Sequence, residues 1–423
     1  MSSETKSGRQ PRVMIYAMNY APELIGCGRY TGEIGDFLVS QGTPLTVVTT
    51  PPHYPGWATR DGYGNRYVTE KVGGATIIRC PLGLSKNMKG FGRMWAPLSF
   101  ALTSMPVVIW RILTERPTHI FCIEPTLMGA PAAILAAKCV GARTILHVQD
   151  LEIDAAFAVG HVKSGAVKTA AFGFEKIVLK LFDNIVTISH KMAEKLTHKG
   201  VKTDQLRLIR NWVDTSKIYP QKGKNSFREE LGFTNDDFVV LYAGNIGVKQ
   251  ALNLVMDSAE QLADTKIRFV IAGDGPEKAS LVARKATNVT FLPLQPENRL
   301  NDLLNLADVH VLPQLESAAD LVLPSKLGGI LASGKALVAM ADLDTELAVF
   351  LGNDAVLVPA GDVARMSEAI RTLFTAHDPQ NPTVRASKAL LQLDRARAMK
   401  QLADLLDVRT AEAEAPEMAA AKG

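Results

Sequence analysis

Short apolar runs alternate with helix-like segments along the first half of the 423-residue chain. Runs of this kind, apolar on both faces, are typical of strands buried between helices. We predict strands at residues 13–17, 45–50, 76–80, 119–123, 143–147, 184–188 and 206–209. We predict helices at residues 31–40, up to Leu113, around 131–140, and at 163–182 and 189–198. Strands separated by helices favour a parallel, doubly wound sheet.

A polar stretch at residues 211–235, which contains Pro220, Gly223 and Gly232, interrupts this alternation and has the composition of a linker. Beyond it the alternation starts again, with strands expected near Val239, Arg268, Val289, Val309, Ala336 and Ala355. The sequence therefore predicts an α/β protein with two Rossmann-like, doubly wound domains facing a cleft. We place the N-terminal domain at residues 12–212, the C-terminal domain at 213–394, a final helix at 395–408, and disordered ends at 1–11 and 409–423.

Composition narrows the class of protein. The chain is 47% hydrophobic and 21% charged, as in ordinary globular proteins. Its four cysteines are widely spaced without a CxxC pair, so we expect neither a disulfide framework nor a zinc site.

Neither a signal peptide nor a membrane span is expected. The first ten residues are polar and unlike a signal peptide, so we expect the chain to stay in the cytoplasm. The apolar stretch 97–113 is short for a membrane span, and we expect it not to cross one.

Residues 238–254 form a pattern of a buried strand, a glycine-containing break and a helix. The break begins at Gly244 and includes Gly247, and two glycines allow backbone N–H groups to approach an anion closely. Lys249 can add a point charge. An ordinary strand-to-helix turn with a solvated lysine is the alternative.

A second glycine-rich segment follows the first strand. Gly26, Gly28 and Gly32 have the spacing GxGxxxG, and Gly26 lies eight positions after Met18. A dinucleotide fingerprint needs a tighter turn directly after the strand, so a nicotinamide oxidoreductase is disfavoured. A long glycine-rich loop ahead of a helix could instead present N–H groups to a phosphate or a sugar, with a plain loop as the alternative.

Two more strand ends in the second half carry candidate residues. Gly273 and Gly275 lie in a GDG turn, which is common and therefore weak by itself. Ser325 and Lys326 lie at a predicted helix start, with Pro324 at the N-cap or N1 position. A hydroxyl, an ammonium and a helix dipole together suit a diphosphate, whereas a capped surface helix is the alternative.

His147 and Asp150 follow a strand of the first half, at the end where open α/β sheets bind ligands. We expect the histidine to leave the strand toward the cleft rather than enter a core. A local polar network that caps the next helix is the alternative.

The order of these motifs resembles that of retaining glycosyltransferases of the GT-B type, family 4, and most closely those of colanic-acid and related exopolysaccharide pathways. The motifs, in chain order, are YAPELIGCGRYTGEIG, HVQDLEIDAAF, RNWVD, AGNIGVKQ, AGDGPE and LPSKLGGILASGK. The resemblance covers nearly the whole chain. It implies transfer of a hexose from a UDP- or GDP-sugar to a saccharide acceptor linked to polyprenyl diphosphate. It also implies that no metal is required, because cationic side chains and helix N-termini neutralise the leaving diphosphate.

The same resemblance implies roles for individual residues. Lys249 matches the lysine of a cationic pair that binds the diphosphate, but Asn245 stands at the position of the arginine, so Lys326 would compensate. Gly329 stands where the family has a ribose-binding glutamate, for which Glu316, Asp320 or Glu346 could substitute. His147 matches the first-domain histidine that contacts donor sugar and acceptor. The predicted catalytic residues are His147, Lys249 and Asp150, and the predicted donor-binding residues are Gly26, Gly28, Gly244, Asn245, Gly247, Gly273, Gly275, Ser325, Lys326, Glu316 and Glu346.

Two other functions remain open at this point. A non-hydrolysing nucleotide-sugar epimerase shares the architecture, and Asn245 and Gly329 would suit a degenerate transferase that serves as a scaffold. Asp342 and Asp344 form a DxD pattern like that of metal-dependent transferases, but we expect them in a loop.

The charge distribution suggests a membrane surface as a partner, and no nucleic acid is expected. Residues 1–210 hold 25 Lys and Arg against 15 Asp and Glu, and residues 71–114 contain no acidic side chain. The basic residues of this stretch are Lys71, Arg79, Lys86, Lys89, Arg93 and Arg111, interleaved with Phe91, Trp95, Phe100 and Trp110. Basic and aromatic side chains favour the anionic headgroup region, so we expect Lys86, Lys89, Arg93 and Trp95 to dock the chain on the inner face of the cell membrane. A core helix with a solvated basic loop is the alternative.

Overall fold

The computed structural model describes residues 10–23, 26–54, 56–84, 91–151, 153–154, 165–314, 323–378 and 384–410, with the backbone alone for residues 91–94 and 166. The chain divides into two compact units. The first unit consists of residues 1–209 and 398–423, and the second consists of residues 210–397.

The first unit contains one sheet with helices packed on it. Its strands are β1 (Val13–Ala17), β2 (Leu45–Thr49), β3 (Val68–Val72), β4 (Ala75–Arg79), β5 (His119–Ile123), β6 (Arg143–Val148), β7 (Asn184–Thr187) and β8 (Leu206–Leu208). Its helices are α1 (Cys27–Ser40), α2 (Phe91–Glu115), α3 (Ala130–Val140), α4 (Gly165–Leu179) and α5 (His190–His198).

Within the described residues, the sheet of the first unit has the strand order β3-β4-β2-β1-β5-β6-β7-β8. Each neighbouring pair is parallel except β3 and β4. Strand β1 lies inside the sheet and all five of its residues are buried, which explains its continuous apolar sequence. Strand β3 is absent from the predicted strands because this antiparallel edge strand has the polar sequence VTEKV and is largely exposed.

The second unit contains a parallel sheet. Its strands are β9 (Phe238–Ala243), β10 (Ile267–Ala272), β11 (Val289–Leu292), β12 (Val309–Leu312), β13 (Ala336–Met340) and β14 (Val356–Val358). Its helices are α6 (Ser226–Glu230), α7 (Leu252–Gln261), α8 (Lys278–Val282), α9 (Leu300–Leu306), α10 (Leu327–Ala332), α11 (Glu346–Leu351) and α12 (Val363–Thr375). A last helix, α13 (Arg395–Leu405), begins in the second unit and ends in the first.

In the described part of the second unit the strand order is β11-β10-β9-β12-β13-β14. The chain therefore reverses its direction of progress between β9 and β12, and ligands of open α/β sheets bind at the carboxyl ends of the strands beside such a switch point. Apolar side chains of β9 and β10 pack against α7 in a buried cluster that includes Val240, Phe269 and Met256. The α/β class and the two doubly wound, Rossmann-like sheets predicted from the sequence are confirmed.

Two predicted helix boundaries are wrong. Helix α1 starts at Cys27 rather than Thr31, because Gly28, Gly32 and Gly35 let this helix pack closely on the preceding loop. The helix predicted to end at Leu113 continues to Glu115 and has 25 residues, so the apolar stretch 97–113 belongs to a longer element.

Candidate functional site

Two loops meet at the carboxyl ends of β9 and β10 in the second unit. The Gly244 N–H donates to the Ala272 carbonyl at 2.9 Å, and the Ile246 N–H donates to the Asp274 carbonyl at 2.8 Å. In the opposite direction the Glu277 N–H donates to the Ile246 carbonyl at 3.1 Å. The two loops are therefore joined backbone to backbone rather than through side chains.

Gly273 and Gly275 make this close approach possible. A Cβ at position 273 would lie well within 3.0 Å of the Gly244 carbonyl oxygen, and one at position 275 would lie as close to the Ile246 carbonyl oxygen. Both glycines also have positive φ, 148° and 156°. The sequence predicted them as donor contacts and did not predict this role of joining the loops.

Lys326 lies beside Gly244. Its Nζ is 2.7 Å from the Tyr242 hydroxyl and 3.9 Å from the centre of the Tyr242 ring. A Cβ on Gly244 would be 3.0 Å from the same Nζ, so the glycine leaves space for the ammonium at the switch point. Burial lowers the pKa of Lys326 to about 7, because the charged form loses hydration.

The expected helix start near Lys326 is partly wrong. Helix α10 begins at Leu327 with Lys326 as its N-cap residue, so Pro324 lies outside the N-cap and N1 positions. Ser325 is exposed. The apolar residues Leu327, Ile330 and Leu331 are buried as predicted, and they hold this short helix in place.

Tyr242 is a site residue that the sequence analysis missed. The side chain is buried, and its hydroxyl donates to the Asn245 carbonyl at 2.6 Å while lying 2.7 Å from the Lys326 Nζ. Burial raises the pKa of Tyr242, so the hydroxyl stays protonated at neutral pH. One side chain thus links the glycine loop to the lysine. In the sequence, Tyr242 does not differ from the other apolar residues of a buried strand.

We expect Tyr242→Phe to weaken the binding of a nucleoside diphosphate about three- to tenfold, the usual range for one net hydrogen bond. The variant keeps the ring under Lys326 and removes only the hydroxyl. Isothermal titration calorimetry with UDP and GDP measures the change, with the exposed Tyr219→Phe as a matched control. Equal affinity for wild type and Tyr242→Phe would contradict this role.

His147 lies within β6 of the first unit, and its side chain is fully buried, with 0% exposure. The expectation that it leaves the strand toward a cleft is therefore wrong: the ring packs 5.7 Å from that of Phe121. Its Nε2 is 3.0 Å from the Gln149 side-chain nitrogen, and its buried Nδ1 has no hydrogen-bond partner among the described residues. Burial lowers the pKa of His147 to about 3, so the ring is neutral. Its catalytic role stays a prediction.

Three further candidates of the first unit lie after a strand or at the start of a helix: Asp150, Gly26 and Gly28. Asp150 is exposed after β6 and accepts the Leu151 N–H at 2.8 Å. Gly26 is the N-cap residue of α1 with a φ of 62°. Gly28 lies inside α1, not in a loop, and a Cβ there would be 2.5 Å from a carboxylate oxygen of Glu23. Their contacts with a donor stay predictions.

Comparison with known proteins identifies the chain. Residues 26–212 match the model of the glycosyl transferase 4-like domain, and residues 237–376 match that of glycosyl transferases group 1. The chain is 36% identical to the Escherichia coli K-12 protein named as the colanic acid biosynthesis glycosyl transferase WcaI, over 92% of this chain and 98% of that protein. It belongs to the family-4-type glycosyltransferases.

Solved structures agree on the fold of this glycosyltransferase. Sucrose-phosphate synthase from Thermosynechococcus elongatus is similar with a TM-score of 0.69 at 15% identity, covering 93% of this chain and 98% of that one. Anabaena HepE, solved in complex with UDP-glucose, is similar with a TM-score of 0.63 at 14% identity, covering 93% and 99%. The GT-B fold implied by the motif order is confirmed.

Asn245 and Lys249, the residues matched to the expected cationic pair, lie on the glycine loop and the turn that follows it. Asn245 is exposed and its side-chain nitrogen donates to Gln250 at 3.3 Å, while Lys249 is exposed in the 3₁₀ turn Val248–Gln250. A Cβ on Gly247 would lie 2.9 Å from both the Asn245 and the Gln250 side chains, so this glycine accommodates them. At position 329 a Cβ would lie 3.1 Å from the Leu304 Cδ1, the end of a flexible side chain, so the binding of the ribose by another residue stays a prediction.

Of the candidate ribose ligands, the structure describes Glu346 alone. Glu346 is buried as the first residue of α11, and its carboxylate accepts from the Arg210 guanidinium at 2.9 Å. The guanidinium also lies 4.6 Å from the Phe350 ring, so Glu346 belongs to an ion pair inside the second unit. Glu316 and Asp320 lie outside the described residues.

Helix α2 has two apolar faces. One face, with Phe100, Ser104 and Val108, is buried, and the Ser104 hydroxyl bonds the Tyr16 hydroxyl at 2.7 Å. We call the exposed side the outer face of α2; it consists of Trp95, Leu98, Leu102, Met105, Trp110 and Leu113. At 100° per residue these six positions fall on one side of the helix. By length and composition alone, Trp95–Glu115 could cross a membrane, although buried core helices pass the same test.

The structure agrees with only some of the predictions for the basic and aromatic residues in and around this helix. Arg79 is buried and pairs with Glu70 at 2.7 Å, so it is not available to a membrane. Lys86 and Lys89 lie outside the described residues, as does the side chain of Arg93. Trp95 is exposed as expected, whereas Phe100 is in the core.

Asp342 and Asp344 lie in the loop between β13 and α11. Where the structure describes the chain, no three His, Cys, Asp or Glu side chains gather as a metal site. The expectation of metal-independent chemistry stays a prediction.

Proposed function

We propose that this glycosyltransferase moves a hexose, with retention, from a UDP- or GDP-sugar to a saccharide acceptor linked to polyprenyl diphosphate, in an exopolysaccharide pathway like that of colanic acid. The observation that carries the proposal is the Lys326 ammonium beside Gly244, at the switch point of a parallel sheet whose two glycine loops are joined. A half-buried cation without an acidic partner among the described residues suits the diphosphate of a nucleotide sugar.

The reaction breaks the bond between the anomeric carbon and the phosphate oxygen and forms a bond from that carbon to an acceptor hydroxyl oxygen. Negative charge develops on the leaving diphosphate, and the Lys326 ammonium stabilises it. Attack from the same face lets the leaving phosphate oxygen take the hydroxyl proton, so no side chain of the protein acts as base. Because burial lowers the pKa of His147 to about 3, its imidazole is a weak base, which is consistent with this assignment.

Two comparisons support the substrates. The relative from Escherichia coli is named for colanic acid biosynthesis, and the similar HepE structure contains UDP-glucose. The outer face of α2 supports an acceptor at a lipid surface, because six large apolar side chains are exposed on one helix of the first unit. The proposed location is the cytoplasmic side of the cell membrane.

Transfer of a labelled sugar tests the proposal. Purified protein is incubated with a panel of labelled UDP- and GDP-sugars and with lipid-linked saccharides. The saccharides are extracted from cells that lack this protein, because such cells are expected to accumulate its acceptor. We expect label to enter the lipid fraction with the donor's anomeric configuration, and EDTA to leave the rate unchanged. Epimerised nucleotide sugar without acceptor, or bound nucleotide without transfer, would contradict the proposal.

Nucleotide binding should depend on pH through Lys326. The pKa of about 7 in the free protein rises when an anionic diphosphate binds, so binding takes up a proton above pH 7. Affinity for UDP or GDP is therefore full below pH 7 and falls as pH rises from 7 to about 9, by up to about tenfold per pH unit. Calorimetry in buffers of different ionisation enthalpy measures the proton uptake. If the Lys326→Met variant takes up the same number of protons on nucleotide binding, the proton goes to another group and this role of Lys326 is contradicted.

Vesicle binding should depend on the outer face of α2. We expect the wild type to float with anionic vesicles at low salt, and Leu102→Glu with Trp110→Glu to reduce the bound fraction about tenfold or more, because both side chains would otherwise enter the headgroup boundary. The control places the same charges on exposed leucines of the second unit, Leu294→Glu with Leu391→Glu. Flotation of all three proteins to the same extent would show that this face is not the docking surface.

A further inference from the structure

An aromatic pair lies in the loop after β2 of the first unit. The rings of Tyr54 and Trp57 meet edge to face, with their centres 5.9 Å apart and their planes at 84°. Tyr54 is 40% exposed, and Trp57 is half-buried. The Tyr54 ring also flanks Gly26, where a Cβ would lie 3.4 Å from it. The pair therefore borders the glycine segment at the carboxyl ends of β1 and β2.

A buried carboxylate fixes the backbone under this pair. Glu23 is 5% exposed, and one of its oxygens accepts the N–H groups of His53 at 2.9 Å and Tyr54 at 3.0 Å. Its other oxygen accepts from the Asn19 side chain at 2.8 Å. The loop after β1 is thus tied to the loop after β2 by a charge that would be costly to bury without these partners.

A buried cation ties the same two loops a second time. The Arg79 guanidinium, at the end of β4, donates to the Thr50 and Ala21 carbonyls, each at 3.0 Å, and pairs with Glu70 at 2.7 Å. Two buried charges of opposite sign therefore order the loops that present Tyr54 and Trp57. Such preorganisation is the property expected of binding loops on a rigid scaffold.

Trp57 shows strain at this place. Its φ is 50°, a left-handed conformation that is rare for a bulky side chain and that concentrates at ligand sites. Its ring lies 5.8 Å from that of His53, which is 3% exposed. The His53 Nδ1 contacts the Thr50 hydroxyl and the Pro51 carbonyl, whereas the buried Nε2 has no hydrogen-bond partner in the described chain. A polar atom without a partner thus accompanies the strained tryptophan.

We propose that Tyr54 and Trp57 form a subsite for a sugar ring of the acceptor saccharide. Pyranose rings carry an apolar face of C–H groups that packs on an aromatic ring, and a rim of hydroxyls that needs nearby polar groups. The pair offers the ring surface, and the Tyr54 hydroxyl and the tied loops offer the polar groups. This inference rests on the proposed transfer to a saccharide, and it places acceptor recognition in the first unit.

Steady-state kinetics in detergent solution tests the subsite. The probes are the labelled nucleotide sugar that supports transfer and the lipid-linked saccharides extracted from cells lacking this chain. We expect Trp57→Ala to raise the acceptor KM about tenfold or more, and Tyr54→Ala to raise it several-fold. The donor KM and the Kd for UDP or GDP should stay within about twofold of wild type. Trp57→Phe, which keeps a ring, should recover most of the affinity, and the exposed Tyr219→Ala should change neither constant.

Each outcome separates the two proposals. A wild type that transfers no label refutes the proposed function itself. If wild type transfers and Trp57→Ala keeps its acceptor KM, or loses donor and acceptor affinity equally, the subsite is wrong. Loss of vesicle flotation with unchanged kinetics in detergent would also overturn it, because the pair would then contact membrane. If Trp57→Ala does not fold, Trp57→Phe and Tyr54→Ala decide the question by the same ratio of constants.

Discussion

Lys326→Met is expected to lower kcat/KM for the nucleotide sugar about 100-fold or more, which is the scale for removing one preorganised charge contact from a leaving group. Methionine has nearly the volume of the lysine stem, so it keeps the packing on Tyr242 and removes only the ammonium. Because charge on the diphosphate increases as its bond breaks, kcat should fall further than donor affinity. Initial rates at varied donor concentration separate the two effects.

A matched control exists in the same unit. Lys335 is also half-buried and burial also lowers its pKa, but it precedes β13 at the amino end of the strand, away from the switch point. Lys335→Met should therefore leave kcat/KM nearly unchanged. Equal losses in both variants would show that a buried positive charge matters only for the fold, and full activity of Lys326→Met would remove the lysine from the site.

The sequence predicted Lys249 and Lys326 as a pair, and the structure separates their surroundings. Lys249 is exposed, whereas Lys326 is half-buried and bonded to Tyr242. A sequence motif specifies residue types at fixed spacing, but it contains no information about the solvent exposure of each side chain. Lys326 lies 84 positions from its partner Tyr242, and only the parallel order of β9 and β12 brings their segments together. Such a contact has no local signal in one sequence.

The fold was easier to predict than the site because strands buried on both faces have continuous apolar sequences. The edge strand β3 and the polar side of the loops lack that signal. The environment of His147 was also predicted wrongly, because a polar side chain is buried there. Asp150, just after the strand, suggested that the histidine faces a cleft, yet His147 lies inside β6 and its ring is buried. A single sequence does not show which side of the sheet is covered at that position.

Gly273→Ala is expected to be among the most damaging single-methyl changes in the second unit. The added Cβ would meet the Gly244 carbonyl oxygen well inside van der Waals contact, and this oxygen belongs to backbone that cannot rotate away. Overpacking and an unfavourable φ together should cost about 3 kcal/mol or more of unfolding free energy, which corresponds to a fall in Tm of about 6 °C or more. Relief of the clash requires the two loops to separate, which would displace Gly244 from Lys326. UDP or GDP binding should therefore weaken about tenfold or more, even well below the Tm of the variant.

Gly361→Ala isolates the backbone contribution to this effect. Gly361 also has positive φ, 79°, but a Cβ there would meet no atom within 4 Å. Its replacement should cost only the conformational penalty of about 1–2 kcal/mol and leave nucleotide binding intact. Differential scanning calorimetry and titration with UDP and GDP on both variants give the comparison. If Gly273→Ala loses no more stability than Gly361→Ala and binds nucleotide as the wild type does, the hydrogen-bonded contact between the two loops does not hold the site. If it is unstable and still binds with full affinity, the glycines serve the fold of the second unit and the nucleotide contacts lie elsewhere.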